Sequence, residues 1–239
     1  MTDFLALAKS HEPELFELIE QLVMIETPTS DKAANDHISS ITADLLRDLG
    51  GDVIIHSEKE FGDHITANWP ASGSYANRQH ALIVGHLDTV WPFGTLERMG
   101  YTEKEGRLYG PGVLDMKSGI ATTIIGLRTL KENNLWSNRP IKILFNTDEE
   151  VGSPSSRPLV EKSAKGAEYA LIMEPGQAGA GALKTTRKGL GEFRIYVEGK
   201  ASHAGAFPER GASAIHELSQ KVVELQAMNA WPNGISVNT

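Results

Sequence analysis

Leu15, Leu18, Ile19, Leu22 and Ile25 recur at three- and four-residue spacing, which predicts an amphipathic helix over residues 3–26. Glu26-Thr27-Pro28-Thr29 then breaks the pattern. A second helix is predicted from about Asn35 to Leu49, stopped by Gly50-Gly51. Val53 to His56 and Ile65 to Trp69 are predicted strands, and a polar loop over 70–78 leads into Ala81-Leu82-Ile83-Val84. A short unbroken apolar run of this kind is the mark of a strand buried on both faces. Ile141 to Phe145 and Tyr169 to Met173 have the same texture. Helices are predicted between them, from Met116 to about Leu130 and over 154–164, the first with Ile120, Ile124, Leu127 and Leu130 on one face. Strands alternating with helices predict an α/β fold with a largely parallel sheet. From Gly189 the texture changes. Phe193, Ile195 and Val197 alternate with Glu192, Arg194, Tyr196 and Glu198, as in a half-exposed antiparallel strand. A helix over 211–228 comes next, with Ile215, Leu218, Val222 and Leu225 on one face, and Ile235 to Thr239 begins another strand.

Each buried-looking strand runs into metal-ligand types. The first ends in His86-Leu87-Asp88, the second in Asn146-Thr147-Asp148-Glu149-Glu150, the third in Glu174-Pro175-Gly176. His86 and Asp88 lie two apart, so they share a side, and the carboxylate can orient the imidazole of a metal ligand. Taken alone, that pair fits a structural hydrogen bond equally well. Asp115 opens the intervening helix, where an N-cap is the competing reading. Three consecutive acids after an apolar strand are costly unless solvated or neutralised by a cation. Parallel strands bring their carboxyl ends to one edge. The pattern therefore predicts hard oxygen ligands around one imidazole, suited to zinc or manganese.

Other motifs fail. Lys117-Ser118 lacks the glycine of a phosphate loop, since Met116 stands in its place. His216-Glu217 and His11-Glu12 lack the second histidine of a zinc-protease helix. His37, His56, His64 and His80 have no ligand-spaced companions and are assigned to the surface. Trp69, Trp91 and Trp231 are assigned to packing, and no nucleophile elbow is present.

Composition narrows the partners. The 239 residues carry a net charge of -8 with no basic stripe, which argues against nucleic acid. The absence of cysteine excludes disulfides and thiolate ligands. Neither a signal peptide nor a membrane-length apolar run is evident, so the expectation is a soluble cytoplasmic protein with no membrane partner.

Five motifs occur in order: His86-Leu87-Asp88-Thr89-Val90; Gly110-Pro111-Gly112 through Asp115-Met116-Lys117-Ser118-Gly119; Asn146 through Ser153; Met173-Glu174-Pro175; and Gly199-Lys200-Ala201-Ser202-His203-Ala204-Gly205. With them, the chain closely resembles the M20 family of metallopeptidases, particularly its glutamate carboxypeptidase branch, from about residue 10 onward. The resemblance implies a three-layer catalytic domain, a sheet flanked by helices, over 1–187. It also implies the start of a smaller α+β lid or dimerisation domain over 188–239. It implies a dizinc hydrolase (Zn2+, with Co2+ and Mn2+ as alternatives) that releases a C-terminal amino acid from a peptide or N-acyl amino acid. By that resemblance Asp115 bridges the ions, His86 and Glu174 bind one and Glu150 the other. Asp88 orients His86, Glu149 is the general base, the Asp115–Met116 peptide is cis, and His203 reaches a partner subunit's site in a homodimer. Family members continue past the position of Thr239 to supply one more histidine ligand, so the resemblance implies a C-terminally truncated chain. The alternatives are an N-acyl amino acid deacylase and a non-catalytic fragment.

Overall fold

The site-bearing edge is created by a five-stranded sheet whose strands lie side by side in the order Asp52–His56, His64–Trp69, Ile141–Asn146, His80–His86 and Ala167–Ile172. The computed structural model describes residues 2–75, 77–136, 138–177 and 181–239. In chain order, helices α1 (Phe4–Ser10), α2 (Glu12–Val23) and α3 (Lys32–Asp48) precede strands β1 (Asp52–His56), β2 (His64–Trp69) and β3 (His80–His86). A short helix α4 (Thr95–Met99) and a small hairpin, β4 (Thr102–Lys104) and β5 (Arg107–Tyr109), fill the segment after β3. Helix α5 (Ser118–Glu132), strand β6 (Ile141–Asn146), helix α6 (Arg157–Ala164), strand β7 (Ala167–Ile172) and helix α7 (Ala214–Gln226) complete the chain.

The helix predicted over 3–26 is two helices. Asp3 caps α1 by accepting from the Leu5 and Ala6 N–H groups, and His11 separates the two. Pro13 lacks an N–H and fits only a first helical turn, so α2 starts afresh there. Helix α3 begins at Lys32, three residues before the predicted start, because the Asp31 carboxylate accepts from the Ala34 N–H at 2.8 Å. The sheet is mixed. β3 pairs in parallel with both β6 and β7, whereas β2 pairs antiparallel with β1 and β6.

Odd-numbered residues of the strands, Ile65, Ala67, Ile83, Ile143 and Phe145, form one buried face. They pack with Leu18, Leu22, Ile38, Leu46, Ile120 and Ile124 of α2, α3 and α5 in one apolar core. Leu82 and Leu144, on the opposite face, are buried as well, and α6 packs on β6 and β7. The result is a three-layer α/β arrangement. Each buried leucine or isoleucine contributes about 1.5–3 kcal/mol, which fixes the strands tightly enough to aim the residues just beyond their carboxyl ends.

The chain divides into two compact units, Met1–Ala182 and Leu183–Thr239. In the second, Lys200 and Ala212 exchange backbone hydrogen bonds, and Ser213 caps α7. The predicted strand over 192–198 is not formed. Alternation supplies one apolar edge, but a strand also needs a hydrogen-bonded neighbour. Among the described residues none pairs with it, and Phe193 and Tyr196 are exposed. Ile235 makes a single bridge to Ala230 and no longer strand. No helix among the described residues is long and apolar enough to cross a membrane.

Candidate metal centre

Register sets the site. His86 pairs with Asn146 and Val84 with Ile172, so the residues following β6 and β7 emerge level with the end of β3. The Met173 N–H still donates to the Val84 carbonyl at 2.9 Å, placing Glu174 beside His86. The fourth contribution comes from the turn Val113–Lys117, whose Asp115–Met116 peptide is cis. Asp115 is not an N-cap. Regular helix begins at Ser118, and the Asp115 carboxylate instead meets Nε2 of His86 at 3.0 Å.

His86 is the hub. Its Nε2 lies 3.4 Å from Glu174 and 3.9 Å from Glu149. His86, Glu149 and Glu174 form one group whose ligand atoms lie within 4.8 Å of one another, and His86, Asp115 and Glu150 form a second. Geometry therefore gathers all six residues predicted for this edge, and it also brings Glu149 within ligand distance. The ring is fixed from behind. Nδ1 donates to the Asp88 main-chain oxygen at 2.9 Å, with the Asp88 carboxylate farther off at 3.4 Å. Asp88 thus orients the imidazole chiefly through its carbonyl. Its fully buried carboxylate is engaged elsewhere, accepting from Thr29 Oγ1 at 2.7 Å and from the Glu149 and Glu150 N–H groups at 3.2 and 3.3 Å.

Burial lowers the His86 pKa, but its contacts with Asp88 and Glu174 outweigh burial and push it up to about 11. Burial pushes Glu150 up to about 7, opposed by His86 and reinforced by Asp115, Asp88 and Glu149. Burial and the neighbouring carboxylates raise Glu149 as well, again against His86. Carboxylates held this close require positive charge between them. A protonated His86 or divalent cations held by the same donors would supply it, so the residues fit a metal centre.

Several supporting residues escaped sequence reasoning. His64, assigned to the surface, is buried, with Nε2 at 2.9 Å from Ser155 Oγ and Nδ1 at 3.2 Å from Thr147 Oγ1. His56 and His80 are half-buried, and His37 is exposed. The first of the three acids, Asp148, is held as a carboxylate by hydrogen bonds from the segment that follows it. Burial raises its pKa, yet donors from Ser156 and Ser155 hold it below the ordinary value. Lys117 is fully buried and donates to the carbonyls of Leu22, at 3.0 Å, and Ile25, tying the Asp115 turn to the end of α2. Its adjacency to Asp115 was the available signal. Glu26 accepts from the Gly94 and Leu96 N–H groups at 2.8 Å and anchors α4. In the second unit, His203 Nδ1 accepts from the Gly205 and Ala206 N–H groups at 3.1 Å, which leaves Nε2–H as the ring's outward donor.

A model of Peptidase family M20/M25/M40 matches residues 82–233. The chain is 35% identical over 224 residues to carboxypeptidase G2 of Pseudomonas sp. (strain RS-16), covering 93% of this chain and 52% of the relative. It is 29% identical over 227 residues to acetylornithine deacetylase of Proteus mirabilis (strain HI4320), covering 90% and 55%. Succinyl-diaminopimelate desuccinylase of Delftia acidovorans matches at 26% over 230 residues, covering 91% and 58%. This chain therefore spans about half the length of the curated relatives it matches. Among solved structures, a tripeptidase from Staphylococcus aureus superposes with a TM-score of 0.67 at 19% identity, covering 90% of this chain and 57% of that one. The di-peptidase Dug1p of Saccharomyces cerevisiae gives 0.63 at 19%, covering 92% and 51%. These two likenesses bear on the fold alone.

Proposed function

We propose that this chain, which belongs to peptidase family M20/M25/M40, is the metal-binding part of an amidohydrolase releasing a C-terminal amino acid, of glutamate type, from a peptide or N-acyl conjugate. The observation that carries the reading is the convergence of one imidazole and four carboxylates on the carboxyl edge of three parallel strands. His86 and Glu174 would hold one divalent ion, Glu150 a second, and Asp115 would serve both. The favoured metal is Zn2+, with Co2+ and Mn2+ as alternatives. When bound, such a pair polarises the scissile carbonyl and acidifies a water.

The protein's own residues do the rest. Asp88 holds the His86 ring with Nε2 facing the site. Glu149, its carboxyl pKa already raised by burial, takes the proton of the attacking water on its carboxylate and returns it to the leaving nitrogen. In a homodimer, His203 would offer its Nε2–H, left free by the Nδ1 contacts, to the oxyanion that develops in the partner subunit's site. In the same reading residues 1–187 form the catalytic domain, 188–239 belong to a lid that pairs two copies as a homodimer, and the enzyme works in the cytoplasm.

A second reading, hydrolysis of N-acyl amino acids, is favoured by the similarity to acetylornithine deacetylase and succinyl-diaminopimelate desuccinylase. Assays of Zn2+-loaded protein on a glutamyl dipeptide, an aroyl-glutamate and an N-acetyl amino acid separate the two. Turnover of the last alone selects the deacylase. The Glu149→Ala variant is expected to lose turnover and keep its metal, and retained turnover would remove Glu149 from its role. Metal binding with no hydrolysis of any amide leaves a non-catalytic fragment.

A further inference from the structure

We propose that Asp148 is a positioning residue for Glu149 and Glu150, braced from behind by Ser155 and His64. The turn Glu149–Val151 buries no side chain, and Val151 is exposed, so apolar burial does little to fix it. Polar groups fix it instead, from its two ends. On one side the Asp88 carboxylate accepts the N–H groups of Glu149 and Glu150. On the other, the fully buried Asp148 carboxylate accepts from Ser155 N at 2.7 Å, Ser155 Oγ at 2.8 Å and Ser156 N at 3.0 Å through Oδ2, and from Asn146 Nδ2 at 3.2 Å through Oδ1. The Asp148 carbonyl also accepts from the Ser153 N–H at 2.8 Å, closing the loop on itself.

Charge and shape both require an aspartate here. Every neighbour of the carboxylate is a donor, so a carboxylate matches all of them. An amide of the same shape turns one acceptor into a donor facing another donor. The brace extends one residue further. Ser155 spends its hydroxyl proton on Asp148, so Nε2 of His64 is the donor to Ser155 Oγ at 2.9 Å. The other ring nitrogen faces Thr147 Oγ1, whose proton goes to the Gly62 carbonyl. His64 stands at the start of β2, so this relay ties the loop carrying Glu149 and Glu150 to a second strand of the sheet. It holds two mutually repelling carboxylates in the register their roles require, Glu150 as metal ligand and Glu149 as base. The inference rests on those roles.

Co2+ titration of the full chain, read by d–d absorption well below the melting temperature, tests it, with melting followed separately by circular dichroism. Asp148→Asn is expected to bind Co2+ at least about tenfold more weakly, the usual consequence of removing an outer partner of a metal ligand. Ser155→Ala and His64→Gln are expected to weaken binding less, and their double variant no more than the worse single one, because both interrupt one relay. A folded Asp148→Asn with wild-type affinity overturns the proposal, even if its melting temperature falls. If Asp148→Asn does not fold, Ser155→Ala decides, and wild-type affinity there overturns it equally. Wild-type protein that binds no Co2+ overturns the metal-centre reading on which the proposal stands.

Discussion

Thr29 Oγ1 donates a 2.7 Å hydrogen bond to Oδ2 of Asp88, across 59 residues of sequence. It binds the loop after α2 to the residue that orients His86. The two segments also run together as backbone, with Pro28 bridging Thr89 and the Thr89 N–H donating to the Thr27 carbonyl at 2.8 Å. Thr29→Val keeps the shape and removes the donor, leaving a buried carboxylate short of a partner. We expect a loss of about 1–3 kcal/mol in stability, measured by chemical denaturation. Metal affinity should fall as well, because Asp88 also fixes the Glu149 and Glu150 backbone.

Metal binding should release protons. His86 is raised to about 11 and Glu150 to about 7, so near neutrality both sites hold protons that a cation must displace. Affinity for Co2+ should therefore rise as pH increases from about 6 to about 8. Calorimetry in buffers of different ionisation enthalpy should show proton release on binding. Affinity that is flat across this range would contradict the cluster's electrostatics.

Two glycines of one helix should respond oppositely to alanine. At Gly119 a Cβ would collide with the Met173 carbonyl oxygen, next to Glu174. Gly119→Ala forces that backbone away and should cost about 1–3 kcal/mol while weakening metal binding. At Gly126 a Cβ meets nothing within 4 Å. Gly126→Ala should stabilise by about 0.5–1 kcal/mol through helix propensity. Paired thermal melts check both signs.

Acid stability should depend on Asp63. Burial raises its carboxyl pKa, but the Lys32 hydrogen bond at 2.8 Å and the Glu58 N–H at 3.0 Å outweigh this and hold it below the ordinary 3.8. A folded-state pKa lower than the unfolded one gives stability that is present above the unfolded value and is lost as pH falls through the folded one. Asp63→Asn should therefore cost about 1–2 kcal/mol at neutral pH, and the difference from wild type should shrink as pH falls below the ordinary 3.8. A difference that persists in acid would assign the effect to packing.

The sequence by itself determined the elements and the kinds of ligand. Unbroken apolar runs specified β3 and β6, whose burial comes from their own residues, and ligand types after β3, β6 and β7 specified where chemistry would lie. The helix faces of α2 and α5 were equally legible, because periodicity is a local property. Tertiary structure decided what depends on distant partners. It decided that Asp115 faces His86 instead of capping α5, since that depends on the backbone path of the Val113–Lys117 turn. It separated three adjacent acids into one buried brace, Asp148, and two site carboxylates, because the chain folds back to bring Ser155 and Ser156 onto Asp148 while Asp88 arrives from a distant strand end. It buried His64, whose partners lie 83 and 91 residues away. It left 192–198 without strand pairing, since alternation gives a strand its faces but only a neighbouring edge gives it hydrogen bonds. Local patterns are encoded residue by residue, whereas hydrogen-bond partners and charge environments exist only once the chain has brought remote segments together.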